Sequence, residues 1–169
     1  MNAALLKSKL TMAETEKTFD VLAVNAFNSD RRRMSLLVRE VKTQNYYCMC
    51  KGAGNIMLAL CVFDSKDSKG SKGTLKKNVE KSLLNLAQLG LRTLCIAQKQ
   101  VDKREALRWL EKWKDAASSM TNRAEKLDAA AAELEVDMTF LGVTAIEVRP
   151  VLEEAGARDL SRSHCCVLS

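Results

Sequence analysis

Aromatic residues and histidine are scarce in this sequence. Aromatic side chains make up 5% of the 169 residues, which is few for a protein that stacks on single-stranded nucleic acid. His164 is the one histidine, and it has no recognisable serine or cysteine partner for an activated nucleophile. These shortages disfavour a nucleic-acid-binding domain and a hydrolase of the Ser-His or Cys-His type.

Zinc-type cysteine pairs and long apolar runs are also missing. None of the six cysteines forms a C-x-x-C pair, so a zinc site would have too few suitable ligands. Reduced thiols in the core of a cytosolic protein are the better interpretation. No run approaches the roughly 18 apolar residues of a membrane helix, and the chain is therefore predicted to be soluble and cytosolic.

The overall composition is that of a globular domain with a basic balance. Apolar residues make up 47% and charged residues 28%, and the net charge is +6. A chain of this length suits a single domain. Its positive charge permits attraction to phosphates or to an anionic membrane surface, without specifying either. A basic nucleic-acid-binding domain has only this charge in its favour.

Apolar periodicity predicts a mixed α/β (α+β) fold, with an antiparallel sheet flanked by helices. Three consecutive strands come first, then two helices, a strand, two helices and a final strand. Their predicted spans are 18–27, 34–41, 45–51, 55–63, 74–89, 91–101, helices beginning after Asp102 and Asn122, and 137–148. Asp102 and Asn122 each precede a glutamate by three residues, a pattern typical of helix N-caps.

Three side chains at the ends of predicted strands are candidates for ligand binding. Phe27 ends a strand before a polar turn, Lys51 precedes Gly52-Ala53-Gly54, and Arg92 opens a strand. Small residues allow close approach of another molecule, and a guanidinium at an element edge can reach a phosphate. The alternatives are a core phenylalanine, a surface lysine and an arginine that caps a helix. The run Arg31-Arg32-Arg33 is more typical of a solvated turn.

Several longer stretches resemble one protein family. The stretches are FNSDRRRMSLLVR, CKGAGNIM, GLRTLCIA, LEKWKDAASSMTNRAEKLDAAAAELEVDM and FLGVTAIE. They resemble, in family order over about residues 18–148, the nucleotide-binding domain of type IV P-type ATPases, the phospholipid flippases. The resemblance implies that the domain holds ATP by its adenine, with Phe27 stacked on the ring, Lys51 lining the same pocket and Arg92 on the phosphate side. Mg²⁺ would arrive with the nucleotide, and its ligands would lie outside this chain.

The departures from the family pattern indicate a fragment. Gly54 stands where the family usually has an acidic residue, and Val148-Arg149-Pro150 replaces the family's continuation after TAIE. The phosphorylated Asp-Lys-Thr-Gly motif and the magnesium-binding aspartates are absent, so the chain is predicted to be inactive alone. The nucleotide-binding domain is expected to be incomplete on its N-terminal side. Residues 1–17 are expected to form a poorly defined segment and residues 18–141 a partial nucleotide-binding domain. Residues 142–150 would begin a hinge to a missing phosphorylation domain, and residues 151–169 would form a divergent polar tail. Expected partners are ATP and the other domains of a membrane-embedded parent, with this domain on the cytoplasmic side.

The final residues support an alternative function. Cys166-Val-Leu-Ser169 fits a C-a-a-X prenylation box with a farnesyl preference, and Cys165 could accept a palmitoyl chain. One interpretation is a non-enzymatic, membrane-tethered adaptor or regulator farnesylated at Cys166. The other is that the box is an accident of truncation.

Overall fold

The part of the chain that the structure describes folds as one β-sheet with four helices packed against it. The structure, a computed structural model, describes residues 9–12, 15–63, 72–147 and 165–168, with side chains over 17–63 and 75–147. The strands are β1 Lys9–Met12, β2 Thr15–Asn28, β3 Arg33–Glu40, β4 Tyr46–Gly52, β5 Cys61–Val62, β6 Arg92–Val101, β7 Met138–Ile146 and β8 Cys165–Leu168. The helices are α1 Gly54–Leu60, α2 Lys72–Gln88, α3 Lys103–Ser118 and α4 Arg123–Leu134.

The sheet is almost entirely antiparallel, as the sequence predicts. Its strand order is β1-β2-β3-β4-β6-β7-β5, with β8 also paired to β7. Only the two-residue β5 runs parallel to its neighbour. The central strands β3 and β4 are joined by a short turn and alternate between buried and more exposed residues, because successive side chains of a strand point to opposite faces. The predicted mixed fold is confirmed.

All four described helices cover the same face of the sheet, called the core face. Its buried strand residues include Ser35, Leu37, Cys48, Cys50, Cys95 and Ala97. α1 contacts it through Met57, whose Sδ lies 3.6 Å from Cys50 Sγ, and α2 packs Val79, Leu83 and Leu86 against the same cluster. α3 and α4 are held together by Trp109 Nε1, which donates to the Ala130 carbonyl at 2.7 Å. The opposite side of the sheet is called the open face.

The helix starts show where local sequence signals are sufficient and where they fail. The Asp102 side chain accepts from the Arg104 amide at 2.8 Å, which confirms it as the N-cap of α3. Asn122 was expected to cap α4 in the same way, and this expectation is wrong. Its φ of 51° is left-handed and its side chain makes no capping hydrogen bond, whereas a capping side chain requires an extended backbone.

Other differences concern short strands and element ends. β1, β5 and β8 were not predicted, because two to four residues carry too little periodicity to be recognised. Cys61 and Val62, predicted within a helix, form β5. β7 continues through Ile146, across the predicted boundary between 141 and 142, and the domain boundaries themselves remain predictions. Among the described helices, none combines the length and apolar character needed to cross a bilayer.

Candidate functional site

Phe27, Lys51 and Arg92 lie on the open face, towards the same end of the sheet. Lys51 lies opposite Met34 of β3 and Ile96 of β6, and paired residues of an antiparallel ladder share a face. Phe27 lies beside Met34, since the next residue, Asn28, pairs with Arg33. Phe27 is 60% exposed, so it is not the core phenylalanine that a strand-end position usually indicates.

The spacing of the three side chains follows from the strand register. Phe27 is two strands away from Lys51, which corresponds to roughly 10 Å between their Cα atoms. Arg92 lies on the same face, four residues before Ile96 on β6, which places its Cα roughly 14 Å from that of Lys51. Lys51 and Arg92 are exposed, and neither forms an ion pair with a described residue. One exposed ring and two cations that have no ion-pair partner within the described ranges therefore share a surface.

The other end of the open face is closed by its own side chains. Phe19 and Tyr47 meet edge to face with ring centroids 6.3 Å apart. Val38, which lies opposite both Val21 and Tyr47, is only 2% exposed. An aromatic and aliphatic cluster thus covers that end of the sheet, and the end with Phe27 is the accessible one.

The glycines beside Lys51 are required by contacts within the protein. A Cβ on Gly52 would lie 2.6 Å from Arg33 Cβ and 2.8 Å from the Arg32 carbonyl oxygen. A Cβ on Gly54 would lie 2.8 Å from Leu83 Cδ1 of α2. The sequence suggested that these small residues admit another molecule, but the groups that approach them belong to β3, to the turn residue before it and to α2.

The basic run after Phe27 is not a solvated turn, contrary to expectation. Arg31 and Arg33 are 10% and 13% exposed, and both pair with Glu135, which is fully buried. Arg33 Nε donates to Glu135 Oε2 at 2.5 Å, and Arg31 Nη2 donates to Oε1. Ser35 Oγ also donates to Oε1, at 2.6 Å. A buried carboxylate needs such compensation, and of the three arginines only Arg32 is exposed.

The hydrogen bonds continue from Ser35 to α3. Asn25 Nδ2 donates to Ser35 Oγ at 2.9 Å, and Trp113 Nε1 donates to Asn25 Oδ1 at 2.9 Å. On the other side of Phe27, Asn28 Nδ2 donates to Asp128 Oδ2 at 3.0 Å. Together with the arginines and Glu135, these residues form one polar network on the core face, directly behind the candidate site.

Sequence reasoning missed this network, although one signal for it exists. Glu135 stands between Leu134 and Val136, immediately before a predicted strand. A glutamate in such an apolar context is rarely buried without a partner, and three arginines preceded another buried strand. Together, these two features predict that Glu135 pairs with the arginines.

The four described core thiols are buried or partly buried, and the two C-terminal cysteines lie in β8. Cys48, Cys50, Cys61 and Cys95 are free thiols. Burial raises the pKa of Cys48 and Cys50 to about 12 and that of Cys61 and Cys95 to about 11. Cys165 and Cys166 lie in β8, where the Cys166 backbone pairs with Ala145 of β7; their lipidation remains a prediction.

Neither a metal cluster nor a deep cleft marks the site among the described residues. No group of three or more His, Cys, Asp and Glu side chains in the described ranges could hold a metal ion. Two shallow depressions lie in the helical layer, one beside Trp109 and Lys112 and the other beside Leu58 and Leu83. The candidate site is therefore a surface on the sheet, distinct from both.

Comparison with known proteins agrees with the fold and points to one protein family. The family described as P-type ATPase, cytoplasmic domain N, matches residues 2–151. The chain is 36% identical over 143 residues to phospholipid-transporting ATPase IC of Xenopus tropicalis, covering 83% of this chain and 11% of that protein. It is 36% identical over 146 residues to the Homo sapiens protein of the same name, covering 85% and 11%. It is also 36% identical over 148 residues to phospholipid-transporting ATPase DNF1 of Saccharomyces cerevisiae, covering 83% and 9%.

The chain thus spans about a tenth of the length of these relatives. Neither comparison points to a farnesylated adaptor. The family match covers all the strands and helices described between β1 and β7, and the antiparallel sheet with helices on one face agrees with it. By sequence match and by fold, this chain belongs to the P-type ATPase cytoplasmic domain N family.

Proposed function

We propose that this domain binds ATP on the open face of its sheet, as part of a P-type ATPase that translocates phospholipid. The observation that carries the proposal is the convergence of Phe27, Lys51 and Arg92 on one accessible surface of an N domain. Phe27 supplies the ring on which adenine stacks, Lys51 lines the same pocket, and Arg92 faces the phosphates.

The residues fit the ligand in shape and charge. A nucleotide is flat and weakly polar at one end and strongly anionic at the other. The surface offers a 60% exposed phenylalanine and two cations without ion-pair partners among the described residues. Stacking on an aromatic ring contributes about 1–3 kcal/mol per base, and guanidinium–phosphate hydrogen bonds are charge-assisted. Mg²⁺ accompanies the nucleotide, and the domains that carry out phosphoryl transfer supply its ligands.

The chain itself contributes binding and orientation. Phosphoryl transfer also needs an acceptor and a metal, which we place in other domains of a longer protein. In that setting the partners of this domain are ATP and the remaining domains of the ATPase. The domain lies on the cytoplasmic side of the membrane in which the parent protein moves lipid.

The proposal is tested by titrating the chain with ATP while amide resonances are recorded by NMR. Perturbations around Phe27, Lys51 and Arg92 are expected at millimolar ATP, and Phe27→Ala should weaken binding about tenfold. Matched controls are Val24→Ala, an exposed apolar residue of the same strand, and Lys42→Ala, an exposed lysine in the β3–β4 turn. Unperturbed resonances, or equal losses in the controls, would contradict ATP binding at this surface.

A further inference from the structure

We propose that Glu135 is a positioning residue for the nucleotide site, acting on Phe27 through the polar network behind the sheet. This inference rests on the proposed function, because it concerns the affinity of the same surface. Glu135 is fully buried on the core face and contacts no part of the open face where the nucleotide lies. Its influence must therefore pass through the residues that it binds.

The position of Phe27 is determined by its neighbours in the chain. Its ring is 60% exposed and receives little support from packing. It lies in an irregular part of β2, where the register with β3 shifts between Asn25 and Asn28. A bulge of this kind re-aims a side chain, and its geometry depends on how the flanking residues are held.

Both flanking asparagines are anchored on the core face. Asn25 is held between Ser35 and Trp113 by two hydrogen bonds of 2.9 Å each. Asn28 donates to Asp128 of α4 at 3.0 Å. The chain before and after Phe27 is therefore held on the core face, and the Phe27 ring projects to the open face.

Glu135 joins these anchors into one unit. Its two carboxylate oxygens accept from Ser35, which holds Asn25, and from the side chains of Arg31 and Arg33. Arg31 in turn lies 3.6 Å from Asp128, the acceptor of Asn28. The single carboxylate thus links the strand before Phe27 to the turn after it.

The chemistry of the group supports a geometric role. A buried ion pair is weak evidence for stability, because apolar residues of similar volume often stabilise as well or better. Charge-assisted hydrogen bonds between guanidinium groups and a carboxylate, by contrast, hold the two groups in a defined relative orientation. A binding residue needs such a supporting shell to hold its place within about half an ångström.

The test is a double-mutant cycle in the full chain, with the Kd for ATP measured by calorimetry. Glu135→Gln keeps the side-chain volume and removes the charge, and it should weaken ATP binding roughly tenfold, as loss of a supporting residue does at metal sites. In a Phe27→Ala background the same change should have no further effect. Glu133→Gln, an exposed carboxylate of α4 paired with Lys112 at 2.9 Å, is the matched control and should leave the Kd unchanged.

The outcomes separate this inference from the proposed function. If Phe27→Ala weakens binding and Glu135→Gln does not, the positioning role is overturned and ATP binding stands. If Glu135→Gln is equally harmful with and without Phe27, its effect is general damage, which also overturns the role. If Phe27→Ala changes nothing, the stacking role proposed for Phe27 is refuted and Glu135 has no ring to position.

A second variant covers the case in which Glu135→Gln does not fold. The Asp128 side chain is 39% exposed, so Asp128→Ala should fold, and it removes the acceptor of Asn28. It should weaken ATP binding about threefold, in line with loss of one hydrogen bond, and only when Phe27 is present. An unchanged Kd for Asp128→Ala would overturn the proposal in that case.

Discussion

Replacement of Gly52 by alanine should destabilise the domain more than the same change at Gly54 or Gly90. Gly52 pairs with Arg33 on one side and with Cys95 on the other, so it lies within the sheet. The added Cβ would be 2.6 Å from Arg33 Cβ and 2.8 Å from the Arg32 carbonyl oxygen. Neither of these atoms is the far end of a flexible side chain that could turn away. The strands β3 and β4 must therefore move apart. Overpacking of this kind costs about 2–3 kcal/mol.

Two other glycines provide graded controls. At Gly54 the new Cβ meets Leu83 Cδ1, the end of a flexible side chain, and alanine is the better helix former. We expect a loss of about 1 kcal/mol or less. At Gly90 no atom lies within 4 Å, but the φ of 75° is left-handed, and alanine there should cost about 1 kcal/mol.

The measurement is urea unfolding followed by far-UV circular dichroism, with the free energy of unfolding extrapolated to water. Gly52→Ala should also lower the melting temperature by about 5–10 °C for a chain of this size. A loss below about 0.5 kcal/mol, the usual range of a surface substitution, would refute the steric argument. So would a loss at Gly54 as large as that at Gly52.

The remaining predictions concern the thiols and the helix starts. At pH 8 the four core thiols should be alkylated roughly 100-fold more slowly in the folded protein than in urea, because burial raises their pKa and lowers the thiolate fraction. Peptide mass spectrometry measures the alkylation of each one separately, at Cys48, Cys50, Cys61 and Cys95. Equal rates would contradict their burial. Because each pKa is higher in the folded chain than the ordinary 9.0, these thiols stabilise the fold below pH 9, and unfolding titrations should show that contribution being lost as the pH rises towards 11 and 12. Asp102→Ala should lower the free energy of unfolding by about 1 kcal/mol through loss of the α3 cap. Asn122→Gly should be neutral or stabilising, because the backbone at position 122 is left-handed. Equal losses of stability in thermal melts would contradict the assignment of Asp102 as a cap and Asn122 as a left-handed turn residue.

The fold could be predicted from the sequence to the extent that its signals are local. Alternation of apolar residues located β3 and β4, and the Asp102–Glu105 pattern located the start of α3. Asn122 carried the same local pattern, but the turn before α4 requires a left-handed residue there, and tertiary context overrode it. The pairing of Arg31 and Arg33 with Glu135 joins residues 104 and 102 positions apart, so the local sequence does not specify it, and the apolar neighbours of Glu135 are the one sign of its burial.

The residues proposed for the candidate site could be named from the sequence, whereas the groups that support them could not. Phe27, Lys51 and Arg92 could be proposed from their places at strand ends and from the family resemblance. Their common face depends on the register of four strands, which includes a bulge in β2. Trp113, Asp128 and Glu135, which anchor the chain around Phe27 from behind the sheet, lie 88 to 104 positions from their partners, so no short pattern associates them with Phe27.

The long sequence separation of these contacts has a consequence for folding. The hydrogen bonds that join β2, β3 and the turn between them to α3, α4 and Glu135 connect residues 88 to 104 positions apart, from Asn25–Trp113 to Arg31–Glu135. Closing such long loops is entropically unfavourable, and contacts of this kind form late and slow the overall rate. The hairpin of β3 and β4 can form early, but the bulge that presents the aromatic ring is complete only when α3 and α4 have docked. If the domain binds ATP as proposed, recovery of ATP affinity during refolding should coincide with the final kinetic phase, and the ligand would then report completed folding.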